Sequence, residues 1–357
     1  TIFCSISKCK SIEIRKSRDD TPEQLSKDIL FRLRTAPELC VFIDEVQKIP
    51  NLLDEVHRII ENEKGACFFI LTGSSSRKLR QSHANLLAGR ALYAPFFPLN
   101  HREVDFSVSL DKILQYGTLP EVFLEEDTDF IKEYLRSYAH VYLKEEIMQE
   151  SMVRNVEGFG RFLEIAAYEN GMPVNYSKIG RQVQLSTGTV KSHFQILEDT
   201  LLVTRIPAWT QSVRKQLQQA AKHYFFDNGV LNSLAGKLGT ELRPSSFRYG
   251  RLFENLVVNE IVRFNALHRL DFKVHHYRTN HGVEIDLILR KNARSAPVAV
   301  EIKYRANPDF SDVKQVLAIK DDYPDAKTFV LCATPTPYED RGIVFLPFPD
   351  GVQDLFA

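Results

Sequence analysis

The hydrophobic and polar positions of the chain follow two periods. Cys40, Val41, Phe42 and Ile43 form a short β-branched and aromatic run that ends abruptly in Asp44 and Glu45, the pattern of a buried parallel strand delivering two carboxylates to a sheet edge. Leu52, Leu53, Val56, Ile59 and Ile60 then recur at helical spacing, Gly65 stops the helix, and Cys67–Leu71 is a second apolar strand. The spacing predicts a β-α-β unit. Its second strand runs into Thr72, Gly73, Ser74, Ser75 and Ser76, which sets hydroxyls beside the carboxylates. Upstream, strands are expected at residues 2–5 and 11–15. A helix follows with Thr21 as N-cap, Pro22 in its first turn and Leu25, Ile29, Leu30 and Leu33 on its apolar side. Downstream, residues 77–87 read as a short helix or loop and residues 90–99 as an edge strand broken by Pro95 and Pro98.

Tyr116, Gly117, Thr118, Leu119 and Pro120 form the clearest turn in the chain, and a first domain, residues 1–112, is expected to end just before it. Residues 130–150 have a helical pattern carrying Tyr134, Tyr138, Val141, Tyr142 and Glu145. Between residues 159 and 206 three helices and a strand are predicted: one with Phe162, Ile165 and Ala166, one with Tyr176, Ile179 and Val183, and one capped by Ser186 through Val190, Phe194 and Leu197. That order reads as a winged helix within a middle domain, residues 113–218. Its third helix would present Thr187, Thr189, Lys191, Ser192 and His193 to phosphates or base edges, with Arg214, Lys215 and Lys222 as nearby cations. The alternative is a winged helix used only for domain packing or protein docking.

From residue 219 onward the pattern returns to α/β. Tyr224, Phe225 and Phe226 form a strand ending at Asp227, and residues 251–264 make an amphipathic helix. Three strand-like runs follow at residues 272–278, 283–289 and 298–304. They carry Glu254 on the helix, Asp286 in the second run, and Glu301 and Lys303 in the third. Two residues apart in a strand, Glu301 and Lys303 share a face, and Asp286 is able to complete the group from a neighbouring strand. An ordinary salt bridge is the plainer reading of Glu301 and Lys303.

Composition narrows the field without choosing a function. In 357 residues, Lys plus Arg and Asp plus Glu are 46 each, so no global charge draws the chain to nucleic acid or anionic lipid, and any basic face must be local. The apolar runs fall far short of the roughly 20 residues of a membrane helix, and the start has no signal-peptide pattern, so a soluble protein without a membrane partner is expected. Cys40, Cys67 and Cys332 fall in apolar strands, and Cys4 and Cys9 stand near the start. That arrangement offers neither a disulfide framework nor a zinc motif, and it suits a reducing cytosol.

Two carboxylates at a strand tip are the Walker B pattern, in which the first holds magnesium and the second orients and polarises the attacking water. The strings VFIDEVQKIPNLLDEVHRIIE, FILTGSSSRKL and LAGRALYAPFFPL resemble the AAA-type (P-loop) ATPase family of bacteria and archaea whose members carry the C-terminal domain of unknown function 4143. The resemblance runs from about residue 36 to the end. It implies that Asp44 and Glu45 are the Walker B pair and that residues 72–75, including Thr72 and Ser74, are the sensor. Arg90 would be the arginine near the phosphates, acting within one protomer or toward a neighbour in a homo-oligomer. Walker A is the departure: no GxxxxGK[ST] occurs, and residues 1–35 contain no glycine. Because Thr1 is not a methionine, a truncated or processed chain is expected, and this polypeptide is expected to bind ATP weakly or not at all.

The C-terminal pattern resembles the PD-(D/E)xK nuclease core, in which acidic residues bind Mg2+ and the lysine helps activate water for attack on a phosphodiester. By that resemblance Glu254, Asp286 and Glu301 are metal ligands, and Asp286, Glu301 and Lys303 are catalytic. The fold expected for the whole is α/β: a P-loop NTPase-like parallel sheet, a helical winged-helix domain, and a restriction-endonuclease-like domain over residues 219–357. The function expected is MgATP hydrolysis, with ATP and Mg2+ as cofactors and DNA as a candidate partner. A Mg2+-dependent DNA endonuclease and a non-catalytic DNA or protein adaptor are the alternatives.

Overall fold

The computed structural model describes residues 10–14, 22–34, 39–44, 46, 51–63, 66–73, 92, 94–104, 108–139, 155–210, 219–279 and 282–357. The chain divides into two compact units, Thr1–Tyr93 with Asp199–Leu201, and Ala94–Glu198 with Leu202–Ala357. The architecture is mixed α/β, with three sheets among the described residues.

The first unit is a parallel sheet crossed by two helices. Strand β1 (Lys10–Ile14), helix α1 (Pro22–Leu33), strand β2 (Leu39–Ile43), helix α2 (Leu52–Asn62) and strand β3 (Cys67–Leu71) follow in order, and the strands pair β1-β2-β3. The central strand is β2, and its Leu39, Cys40, Val41 and Ile43 are buried, as a parallel strand with cover requires. Helix α2 packs Leu52, Leu53, Val56 and Ile59 into the same core as Ile29 of α1 and Cys67 of β3, each large aliphatic side chain contributing about 1.5–3 kcal/mol on burial. Asp54 and Glu55 lie in its first turn, where the helix dipole favours negative charge. The strand expected at residues 2–5 lies outside the described residues. Across residues 90–99 the expected edge strand is not formed where the chain is described, at residues 92 and 94–99. Pro95 and Pro98 each remove a backbone donor, so strand pairing fails there.

The second unit opens with helices, most of them begun by a side-chain cap. Helix α3 (Leu110–Tyr116) starts at Ser109, α5 (Thr128–Ser137) at Asp127, α6 (Val156–Tyr168) at Asn155 and α7 (Tyr176–Val183) at Asn175, each accepting from a first-turn amide. The short α4 (Pro120–Leu124) starts on its proline. Ser186 accepts from the Thr189 amide at the start of α8 (Thr187–Asp199). Strand β4 (Val203–Ile206) then pairs antiparallel with β5 (Lys222–Phe225). The strand read at residues 224–226 therefore belongs to this two-stranded sheet and not to the sheet that follows.

Helices α9 (Asn228–Leu234) and α10 (Phe247–Leu267) lead into six strands: β6 (Lys273–Arg278), β7 (Glu284–Arg290), β8 (Val298–Lys303), β9 (Lys327–Cys332), β10 (Tyr338–Asp340) and β11 (Ile343–Pro347). Their order is β10-β11-β9-β8-β7-β6. The pairs β8–β9 and β9–β11 are parallel and the rest antiparallel. One face of the sheet, with Leu287, Leu289, Val298, Val300 and Ile302, shares a core with α10 through Phe253, Val257 and Ile261. The other face, with Ile285, Ile288, Ala299 and Val330, is covered by Val313, Val316 and Ile319. Both faces being buried explains why β8 reads as an almost continuous apolar run.

Candidate functional site

Asp44 leaves the C-terminal end of β2 and is exposed, while Thr72 leaves the same end of β3 and is half-buried. Two backbone bonds tie these tips: the Thr72 amide donates to the Ile43 carbonyl at 2.9 Å, and the Val46 amide donates to the Thr72 carbonyl at 3.0 Å. The Thr72 hydroxyl then donates to Asp44 Oδ1. Of the residues expected at this end of the sheet, Asp44 and Thr72 are brought together. Glu45, Ser74 and Arg90 lie outside the described residues.

The C-terminal residues converge at the place where β7 and β8 part. Their pairing ends at Leu287 opposite Val300. Two residues further along β8, past the end of the β7 pairing, the Ile302 amide donates to Asp286 Oδ2 at 2.9 Å. Lys303 Nζ lies 2.9 Å from Glu301 Oε1, and Gln315 Nε2 donates to the same oxygen at 2.9 Å. Glu301 is buried and its Oε2 has no hydrogen-bond partner. Burial pushes the Glu301 carboxyl up to about 8, with the neighbouring Asp286 charge adding to the rise and Lys303 opposing it. Glu254 is raised to about 7 by burial and by Asp286, against the pull of Lys222.

Three residues that the sequence pattern did not single out for this site complete it. Lys222 on β5 lies 2.7 Å from Glu284 Oε1 and 3.8 Å from Glu254 Oε1. The Tyr224 hydroxyl, two residues along the same strand, donates to Glu254 Oε1 at 2.7 Å, and burial with the adjacent carboxylates drives that phenol far above its ordinary value. Burial pulls the Lys222 ammonium down, but Glu254, Asp286 and Glu284 more than reverse it, so lysine stays charged. Burial pushes Glu284 up, but Lys222, with Arg278 and His276, brings its carboxyl below the ordinary value. The period of two that places Lys222 and Tyr224 on one face was the available signal.

On α8, Thr187, Lys191 and Ser192 are exposed and Thr189 is half-buried. His193 departs from the expected nucleic-acid face: it is 5% exposed and packs edge-on against Phe159 and Phe162. Helical periodicity puts it one turn from Val190 and Leu197 on the core side. Lys191 lies over the Tyr176 ring at 5.6 Å. Arg214 and Lys215 lie outside the described residues.

Residues 4–105 match an AAA domain. Two domains of unknown function match the remainder, DUF8612 over residues 107–241 and DUF4143 over residues 249–350. The chain is similar to an uncharacterized protein of Mycobacterium tuberculosis, 24% identical over 274 residues that cover 76% of this chain and 60% of the relative. It is also similar to an uncharacterized protein of Haemophilus influenzae, 27% identical across 79% of this chain and 68% of that one. A third, from Methanocaldococcus jannaschii, is 25% identical across 62% of this chain and 53% of the relative. The chain spans about three-fifths of the length of its mycobacterial relatives. Asp44 and Thr72 fall within the residues that match the AAA domain. No helix among the described residues is long and apolar enough to cross a membrane.

Proposed function

We propose that the AAA-matching unit supplies the metal and water end of a MgATP-hydrolysing site. The observation that carries this reading is the Thr72 hydroxyl donating to Asp44 at adjacent tips of two parallel strands. An exposed carboxylate oriented by a hydroxyl is a hard oxygen donor of the kind magnesium takes, and Asp44 would hold that ion, which neutralises charge on the phosphate oxygens. Thr72 fixes the rotamer of Asp44, Glu45 orients the attacking water, and Arg90 neutralises charge near the phosphates, in its own protomer or in a neighbour. Ser74 joins Thr72 as a sensor of the terminal phosphate. Phosphate release from MgATP by the protein from its native cells is expected to fall at least about 100-fold in Glu45→Gln and Asp44→Asn, a loss of about 2.7 kcal/mol in barrier lowering, and less in Thr72→Val. Turnover unchanged in both carboxylate variants would overturn the proposal.

The domain plan proposed with it is an ATPase core over residues 1–112, a winged-helix segment within residues 113–218, and a nuclease-type domain over residues 219–357. Three helices followed by a two-stranded sheet support the second of these, and exposed Thr187 and Lys191 keep DNA among its candidate partners. The alternative expected from the sequence, Mg2+-dependent DNA cleavage, has in its favour only the meeting of Glu254, Asp286, Glu301 and Lys303 around the parting of β7 and β8. The donors do not fit the metal: among the described residues no group of three or more His, Cys, Asp or Glu is placed to hold one. Nicking of DNA that requires Mg2+ or Mn2+ and is lost in Asp286→Ala would establish cleavage; no nicking of several DNA substrates by the unmodified protein would remove it.

A further inference from the structure

Glu254, Glu284 and Glu301 of the second unit already have cations. Lys222 is 2% exposed, and moving an ammonium that far from water costs several kcal/mol unless charged partners surround it. Its partners are Glu284 at 2.7 Å and Glu254 at 3.8 Å. Tyr224 donates to Glu254 from the same strand. Lys303 and Gln315 both occupy Oε1 of Glu301, leaving the buried Oε2 as the one side-chain oxygen of that residue without a hydrogen-bond partner.

An ammonium and a metal ion make opposite demands on such a group. Lysine brings N–H donors and takes carboxylate lone pairs one at a time, whereas a divalent cation needs several oxygens to converge on one point at about 2.0–2.6 Å. Both cannot use the Glu254 and Glu284 oxygens together. We propose that Lys222 is the resident cation of this cluster, standing where a divalent metal would otherwise bind between Glu254, Glu284 and Asp286. The unmodified unit then has no divalent-metal site at these residues, and removing the ammonium creates one. The four carboxylates Glu254, Glu284, Asp286 and Glu301 would gain a net negative charge and a space the size of the lysine head, with Asp286 still anchored by the Ile302 amide.

Mn2+ binding by electron paramagnetic resonance tests this on the full chain, in an Asp44→Asn background that silences the first unit. The parent is expected to show no saturable site at the cluster. Lys222→Met is expected to bind one Mn2+ at least about 10-fold more tightly than the parent, and adding Glu284→Gln is expected to remove that site. Lys222→Gln repeats the measurement with a polar side chain should the thioether variant fold poorly, and Lys222→Arg, which keeps the charge, is expected to match the parent. A parent that binds stoichiometric Mn2+ and loses it in Asp286→Asn or Glu301→Gln overturns the proposal, as does a folded Lys222→Met or Lys222→Gln that gains none. These readouts use no nucleotide, so their outcome is separate from the ATPase reading, whereas a parent without a site also counts against metal-dependent cleavage at these residues.

Discussion

Removing the Asp227 side chain should destabilise the second unit by about 2–4 kcal/mol. Asp227 is buried and its carboxylate accepts three backbone amides: Thr118 at 2.7 Å, Gly229 at 2.8 Å and Val230 at 3.1 Å. The last two are the first-turn donors of α9, and losing such a cap costs about 1 kcal/mol. The Thr118 amide comes from the turn after α3, 109 residues away in sequence, and leaving it buried without an acceptor costs about 1–3 kcal/mol. Burial raises the Asp227 carboxyl above its ordinary value in spite of these donors, so relief of a buried charge offsets part of the loss. Asp227→Asn keeps one acceptor oxygen for the cap but turns an amide toward Thr118, and about half the loss is expected. Urea unfolding followed by fluorescence suits the measurement, because the chain has one tryptophan and Trp209 packs edge-on against His275 and Tyr323 within the same unit. A shift in Asp227→Ala of less than about 0.5 kcal/mol, the scale of an ordinary surface change, would refute the reasoning. So would an Asn variant weaker than the Ala variant.

Gly117→Ala should cost at least as much, since Gly117 has a φ of 79° and a Cβ there would meet Asp227 Oδ1 at 2.1 Å; a melting temperature equal to the parent's would contradict it. Through His275 and His276, acid should weaken the second unit between about pH 6.5 and 4, against the opposite contribution of Glu254 and Glu301, whose raised carboxyls take up protons in the folded chain first. Burial lowers both His275 and His276 to about 4, so over that window the unfolded chain takes up protons that the folded one does not. Stability falls as the pH drops, by at most on the order of 3 kcal/mol per histidine. A pH dependence of the urea midpoint between pH 7 and 4 that is unchanged when His275 and His276 are both replaced by glutamine, with Trp209 as probe, would exclude this.

The sequence made the first unit's order readable because each element there has one rhythm. Two strand-length apolar runs flank a helix whose Leu52, Leu53, Val56 and Ile59 keep a single face, and parallel pairing then has to bring the residues after the runs, Asp44 and Thr72, to one edge. Strands β6, β7 and β8 were equally legible, and so was the placing of Asp286 beside β8, whereas β9, β10 and β11 were not delineated. What escaped was the part built by residues distant in the chain. Lys222 and Tyr224 sit in a strand whose pairing with β4 depends on a connection of 15 residues between Ile206 and Lys222, and nothing in a local pattern indicates that a lysine is buried until its carboxylate partners are located. Gln315 belongs to a one-turn element, too short for a period to emerge. His193 misled because a polar residue on a helix was read by its chemistry, whereas its spacing from Val190 and Leu197 already assigned it to the core. Pro95 and Pro98 were correctly seen as obstacles to a strand, and their effect was larger than an edge position can absorb.

The parting of β7 and β8 also gives the site a reporter of its own. Inside a ladder the protection of an amide against solvent hydrogen exchange depends on two backbones opening together. At Ile302 it depends on one carboxylate, Asp286, staying where it is. Anything that draws that carboxylate away from β8 releases the Ile302 proton to exchange while Val300, still paired with Leu287, holds its own. A single backbone position thereby registers the occupancy of a site whose chemistry lies wholly in side chains.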